Sequence, residues 1–420
     1  MWLRKRLDIG WSDLLWGLIW CGWPGGDSQR RPPWSAAENV IACTSVRSGF
    51  DLLWSAWDLP RESRVLFSAL TVPDMARIVQ HHGLEPVPVD LDPATMSPRV
   101  ESVQHAMSPR VRAIVVAHLF GSRAPLDALI RWAHAHDVKV IEDCAQAYHG
   151  PGYHGHPEAD VSMFSFGQIK AGSALGGGLL FVRDRQLLGR MRQLAAGYPI
   201  QSHRSYLRRL LKCALLKAIS PRIMFRTVLV CLRVGGIDYD RAINGTARGY
   251  SGSELIRQLR RRPSAPLLRM MSRRLSRYDA IDAARRAGRG RKLAEWLAPG
   301  IACPAAAVEP HTFWVFPILV DNPDAVIAAL RQEGYDATQG HSMGVVASAA
   351  DSADCDPVVT RDLLAHLVYI PFYAAMPDVE LNRMAGVLKR VADSPVSRTP
   401  ASSAAGVVGS GNSPLVEGSA

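Results

Sequence analysis

The side chains best suited to covalent chemistry in this 420-residue chain lie in one short stretch, Phe164-Ser165-Phe166-Gly167-Gln168-Ile169-Lys170. A hydroxyl five residues before a lysine, followed by a glycine-rich return through Gly172, Gly176, Gly177 and Gly178, suits a site that holds an anion beside an amine. The three consecutive glycines let the backbone pass close to a ligand. Upstream, Val140-Ile141-Glu142-Asp143-Cys144-Ala145-Gln146-Ala147 places two carboxylates at the end of an apolar run. Strand geometry sends Glu142 and Asp143 to opposite sides, so only one of them faces a given cleft. A third stretch, Arg47-Ser48-Gly49-Phe50, stands at the start of a helical pattern, where backbone amides make a phosphate site. Taken singly, each stretch also has a plainer reading: strand-end solvation for the acid pair, a surface lysine, and an N-cap at Ser48.

The elements that must position these groups alternate. Helical patterns over residues 48–59, 73–82 and 125–136 are interleaved with apolar strands at 64–68, 85–89, 112–118 and 138–143, and a further strand follows at 179–182. Continuous Val/Ile/Leu strands separated by helices imply an α/β fold with a mostly parallel sheet and helices on both faces. In such sheets ligands bind at the carboxyl ends of the strands, where Asp143 falls. The organisation expected is an N-terminal Trp-rich segment (1–39), a large α/β domain (40–184) and a basic helical segment (185–292). A smaller α+β domain (293–392) and a disordered tail (393–420) complete it.

Composition bounds the class. Hydrophobic residues at 48% and charged residues at 21% describe a globular core and exclude a disordered chain. No apolar run approaches the roughly 20 residues of a membrane-spanning helix. The seven cysteines are scattered without a C-x-x-C pair, which excludes a disulfide scaffold or zinc finger and points to a reducing, cytoplasmic setting. Net charge is +11, but residues 204–292 hold 23 Lys/Arg against 5 Asp/Glu, or +18, leaving 11 − 18 = −7 for the rest. Within this block, Leu207, Leu210, Leu211, Leu215 and Ile219 have helical spacing, with Arg208, Arg209, Lys212 and Lys217 around them. Such a helix either lies on an anionic membrane or forms an extra layer over an active site or dimer interface. The segment from Met1 to Trp23 reads as an amphipathic helix on the body or on a membrane surface rather than a cleaved leader. No nucleic-acid-binding signature accompanies the basic block. His81, His82, His134, His136, His154 and His156 lack a carboxylate arrangement suited to a metal, and no metal is expected.

In this order and spacing the stretches resemble the DegT/DnrJ/EryC1/StrS family of pyridoxal-phosphate-dependent aminotransferases, a branch of the aspartate-aminotransferase-like, fold type I proteins. The landmarks are residues 140–150, similar to the family's "ViEDaAqahGa", and residues 164–178, similar to its "SF…K…GGG" block. Ala117-His118-Leu119-Phe120-Gly121 and residues 367–371 are weaker echoes. The resemblance implies that Lys170 forms the Schiff base with pyridoxal 5'-phosphate and shuttles the proton. Asp143 would pair with the pyridinium nitrogen, and Gln146 would contact the ring's 3′-oxygen or its face. Ser165 would hold the phosphate with the amides of Gly49 and Phe50, and Thr71 corresponds to a family threonine. The activity implied is transfer of an amino group from glutamate or glutamine to a nucleotide-linked keto-sugar in polysaccharide or natural-product biosynthesis, by a homodimer.

The chain departs from the family pattern at three places. Gly49-Phe50 stands where the family has Gly-Thr, Val72 replaces an aromatic, and the "N-Y-R" segment has Gly249-Tyr250-Ser251 as its nearest match. An arginine near Tyr250 is expected to replace the missing phosphate hydroxyl. A sugar dehydratase of the same family would carry histidine in place of Lys170. A non-catalytic or regulatory, membrane-associated member is the alternative from another class, against which the Lys170, Asp143, Gln146 and Ser165 set argues.

Overall fold

The computed structural model describes residues 1–4, 7–22, 34, 37–221, 224–225, 254–340, 342–347 and 355–393. Gly249-Tyr250-Ser251 and the tail from 394 onward lie outside the described residues.

A seven-stranded sheet forms the centre, in the order β1 (Val40–Cys43), β8 (Gly178–Val182), β7 (Val161–Ser165), β6 (Lys139–Asp143), β5 (Val111–Ala117), β2 (Arg64–Ser68), β4 (Glu85–Val89). The run from β7 to β4 is parallel, and β8 alone is antiparallel to both of its neighbours. The parallel strands are buried almost end to end, as a sheet covered on both faces requires.

Helices α2 (Val46–Trp57), α3 (Pro73–His81) and α6 (Arg185–Ala196) cover one face, where Phe50, Leu53, Ile78 and Leu187 meet Val65, Ile141 and Leu180. Opposite, α4 (Val100–His105) and α5 (Asp127–Ala135) cover β5 through Val103 and Ile130. Beside them, α1 (Trp11–Gly22) and α7 (His203–Ala218) pack over β8 through Leu14, Tyr206 and Leu210. Helix α6 starts where the Asp184 side chain accepts from the Gln186 and Leu187 amides, and α7 where Ser202 accepts from Ser205. Short α8 (Leu255–Leu259) joins the α2 side and α9 (Ala265–Ser276) the α7 side. Thus the described part of the basic stretch buries Leu267, Met270 and Met271 against the sheet.

The C-terminal part has its own core. Long α10 (Ala280–Leu297), α11 (Pro323–Gln332) and α13 (Asp378–Asp393) enclose the antiparallel pair β9 (Phe316–Leu319) and β11 (Leu367–Ile370) around Phe313, Phe316, Leu330 and Val368. Helix α12 (Val358–His366) leads into β11. Two connections tie the parts together. Trp2 enters the C-terminal core, donating its indole N–H to Glu380 (2.8 Å), and Arg4 pairs with Asp336 (2.7 Å). From the other direction, β10 (Gly344–Val345) pairs with β3 (Leu70–Thr71) beside the parallel sheet.

Candidate active site

The chemistry-bearing residues converge on one edge of the sheet because β5, β6 and β7 run parallel and the short β3 follows β2 at the same end. Asp143 ends β6, Ser165 ends β7, Thr71 ends β3, His118 follows β5, and α2 begins just after β1. This is the carboxyl edge at which sheets of this type take ligands.

Glu142 and Asp143 point to opposite sides, as a strand requires. Glu142 is fully buried and accepts from Ser162 Oγ (2.6 Å), His118 Nε2 (2.8 Å), the His156 amide (2.8 Å) and Tyr153 Oη (2.5 Å). Burial would raise this carboxyl, but the hydrogen bonds from His118, Ser162 and Tyr153 outweigh it and hold it ionised far below its ordinary range. His118, Glu142 and Cys144 bring ligand atoms within 4.8 Å of one another. His118 nonetheless offers no lone pair: Nδ1 accepts from the Ala124 amide (3.0 Å), so the proton sits on Nε2 and is given to Glu142. Burial first, then the Glu142 charge, also keeps the Cys144 thiol protonated. The cluster is a structural brace behind the site.

Asp143 faces the other way, toward Thr71, His118 and Gln146. One oxygen accepts from the Ala145 amide (2.9 Å). Burial pushes its carboxyl above the ordinary value, against the pull of that amide and of Lys170. Such a carboxyl shares a proton readily with a basic ring nitrogen.

Lys170 lies one short turn beyond Ser165. A Cβ added at Gly167 would lie 3.7 Å from Ser165 Oγ and 3.8 Å from Lys170 Cγ, so both side chains flank the same point. Burial lowers the Lys170 amine from 10.5 to about 8; Asp143 opposes that shift and Arg47 adds to it. Its Nζ sits 4.3 Å from the centre of the Trp314 ring, whose indole N–H donates to the Ile169 carbonyl (3.0 Å).

Gln146 is fixed at its oxygen, which accepts from the Phe120 amide (3.1 Å), and its NH2 group touches Met343 Sδ (3.0 Å). Thr71 is buried beside it, paired in register with Gly344. Thr71, Val72, Ala117, His118, Asp143 and Gln146 line a cavity of about 20 Å³, about the volume of one water.

Gly49 and Phe50 are not at the anion-binding end, which corrects the expectation for them. Helix α2 starts earlier: Ser45, not Ser48, is the N-cap, its hydroxyl accepting from the Ser48 amide (3.1 Å). The Gly49 amide is consumed by the Ser45 carbonyl (3.1 Å), and Phe50 is fully buried among core side chains. Position 49 needs glycine for packing, since a Cβ there would lie 2.1 Å from Leu180 Cδ1. The first-turn amides are those of Val46 and Arg47, which precede the first intrahelical bond. The Arg47 guanidinium pairs with Asp74.

Trp314 and Met343 escaped sequence reasoning because no local pattern ties them to Lys170 or Gln146; the C-terminal chain delivers them. Arg47 had a usable signal, the Thr44-Ser45 pair directly after the apolar β1 run, which marks the helix start.

Comparison with known proteins adds an independent view. Residues 34–209 match the family model of the DegT/DnrJ/EryC1/StrS aminotransferase family. GDP-perosamine synthase of Caulobacter vibrioides is 30% identical over 172 residues, which are 40% of this chain and 46% of that protein. The chain spans less than half the length of the curated relatives it matches. Among solved structures, the sugar aminotransferase CalS13 of Micromonospora echinospora has a TM-score of 0.64 at 21% identity, covering 93% of this chain and 100% of that one. NtdA of Bacillus subtilis, solved with bound cofactor PMP, has a TM-score of 0.63 at 16% identity over 91% of this chain and 81% of its own. At these identities the structures establish a shared fold: the type I α/β architecture with its mostly parallel sheet.

Proposed function

We propose that this chain, whose residues 34–209 match the DegT/DnrJ/EryC1/StrS aminotransferase family model, is a member of that family and a pyridoxal-phosphate-dependent aminotransferase. It would move an amino group from glutamate or glutamine to a nucleotide-linked keto-sugar in polysaccharide or natural-product biosynthesis. The observation that carries this reading is geometric: the Lys170 and Ser165 side chains flank one point at the sheet edge where Asp143 ends its strand, and burial there lowers the Lys170 amine to about 8.

The residues fit the cofactor in donor chemistry. Asp143 would hold the pyridine nitrogen, the Gln146 NH2 group the ring oxygen, and Ser165 Oγ with the Val46 and Arg47 amides the phosphate. Lys170 would bind the aldehyde carbon. Thr71 would flank the ring. When bound, the cofactor supplies an electron sink for the carbon that exchanges its proton.

Each of the chain's own groups then has a task. An amine near 8 is partly unprotonated at neutral pH, so Lys170 can both take a proton from the donor's Cα and return one to the acceptor carbon. Asp143, raised by burial, keeps a proton shared with the ring nitrogen. Glu142 and His118, braced together, fix the end of β6 and hence the aim of Asp143. Trp314 lies against the Lys170 amine and Met343 against the Gln146 NH2 group, so both would have to shift for the ring to reach those two groups. A homodimer belongs to this reading through the resemblance, and sedimentation velocity reads its mass.

The acceptor class is tested by offering the cofactor-loaded protein and glutamate a panel of nucleotide-linked keto-sugars. Mass spectrometry should find one of them aminated, with 2-oxoglutarate formed in equal amount. Amination of simple keto acids alone would remove the sugar assignment.

A further inference from the structure

We infer that the outer face of α1 and α7 is a docking surface for an anionic lipid bilayer. Helix α1 is held by its inner side: Leu14 is buried, Gly17 lies against Leu210 and Met270, and buried Asp13 pairs with Arg273 (2.7 Å) and Arg274 (2.8 Å). Asp13 is the only charged residue in Trp11–Gly22. The outward side is therefore uncharged, and it presents Trp11, Leu15 and Ile19 one turn apart, each more than half exposed.

Helix α7 runs alongside in the opposite direction. Gly17 meets Leu210 at mid-length, and Lys217 Nζ lies 6.0 Å from the Trp11 ring at one end. Its outward residues Leu211 and Leu215 are also more than half exposed, as is Met224 just beyond the helix. The two rows lie on neighbouring helices and together turn five large apolar side chains to solvent, grouped rather than scattered singly.

The charges beside the stripe choose the occupant. Helix α7 carries Arg204, Arg208, Arg209, Lys212 and Lys217, and no Asp or Glu occurs between Arg185 and Ile237. Arg204, Arg208 and Lys212 are exposed at the same side. A second copy docked by two-fold symmetry would set these cations against each other. A lipid interface with negative headgroups instead matches both parts, taking the apolar row into its acyl boundary and the cations into its headgroups. No described helix is long and apolar enough to cross a membrane, so the contact is one of lying on the surface.

Flotation of the full chain with vesicles at about 0.1 M salt tests this, where surface charge is screened beyond roughly 10 Å. Vesicles of phosphatidylcholine with phosphatidylglycerol should carry the protein, and phosphatidylcholine alone should not. The triple variant Leu15→Glu, Ile19→Glu, Leu215→Glu should lose binding by roughly tenfold or more, as should Arg204→Glu with Arg208→Glu. Both variants should keep the parent's melting temperature and sedimentation mass. The inference is overturned if anionic vesicles do not float the protein, if the triple variant binds undiminished, or if that variant changes the oligomeric mass, which would make the face a protein interface.

Discussion

At the scale of single residues, the state of the Lys170 amine is set by opposing effects of unequal size. Burial lowers it to about 8, Asp143 pulls it back toward its ordinary value, and the Trp314 ring stabilises the charged form by a cation–π contact of about 0.5–1 kcal/mol. Below that value the amine is protonated and unreactive; above it the free base predominates. The rate at which pyridoxal phosphate or an amine-directed reagent modifies Lys170 should therefore rise with pH through about 8, read by mass spectrometry of the modified peptide. Trp314→Ala would open the amine to water, and because burial is the largest cause, the midpoint should move up toward 10.5. An unmoved midpoint would show that Trp314 does not set the environment of Lys170. That Lys170, Asp143, Gln146 and Ser165 stand at strand ends and turns of one sheet is legible in the sequence, because each sits in a contiguous block whose strand or turn context is local. Trp314 and Met343 were not, because their places follow from how the C-terminal chain folds back.

At the scale of elements, the start of α2 decides where an anion can bind. The strand pattern at 64–68, 85–89 and 138–143 was readable because buried parallel strands are continuously apolar. The helix start is not: Ser45 and Ser48 are both able to cap, and the resemblance points to the Gly49 amide as a phosphate donor, whereas Gly49 packs closely against Leu180. The first turn of α2 is held against β8 at Gly178. A Cβ there would lie 2.7 Å from the Val46 nitrogen and 2.8 Å from the Ser45 carbonyl carbon, so backbone has to move. Gly178→Ala should weaken cofactor affinity by roughly tenfold and destabilise the protein by about 1–3 kcal/mol, the usual cost of overpacking. Absorbance titration and urea unfolding read the two effects. Unchanged affinity would separate the α2 N-terminus from the phosphate site.

At the scale of the whole molecule, chain ends and basic residues serve as ties. Trp2 and Arg4 stitch the start of the chain into the C-terminal core, and Arg273 and Arg274 lock α1 through Asp13. The positive charge of the 204–292 stretch was visible in composition, but its division between these interior ion pairs and an outer face follows from packing alone. Burial would raise the Asp13 carboxyl, yet Arg273 and Arg274 bring it below its ordinary 3.8. Its share of stability is thus present above about pH 4 and lost as pH falls toward its lower folded value, with Glu142 acting in the same direction. Urea midpoints should fall below about pH 4, and less steeply for Asp13→Asn, which has no carboxylate to protonate there. The central claim, that Lys170 binds pyridoxal phosphate for amino transfer, is tested most directly by the absorbance spectrum of the protein with added cofactor. The account predicts a visible band that is absent in Lys170→Ala and bleaches when glutamate or glutamine is added. No band at saturating cofactor, or an equal band in Lys170→Ala, would contradict it.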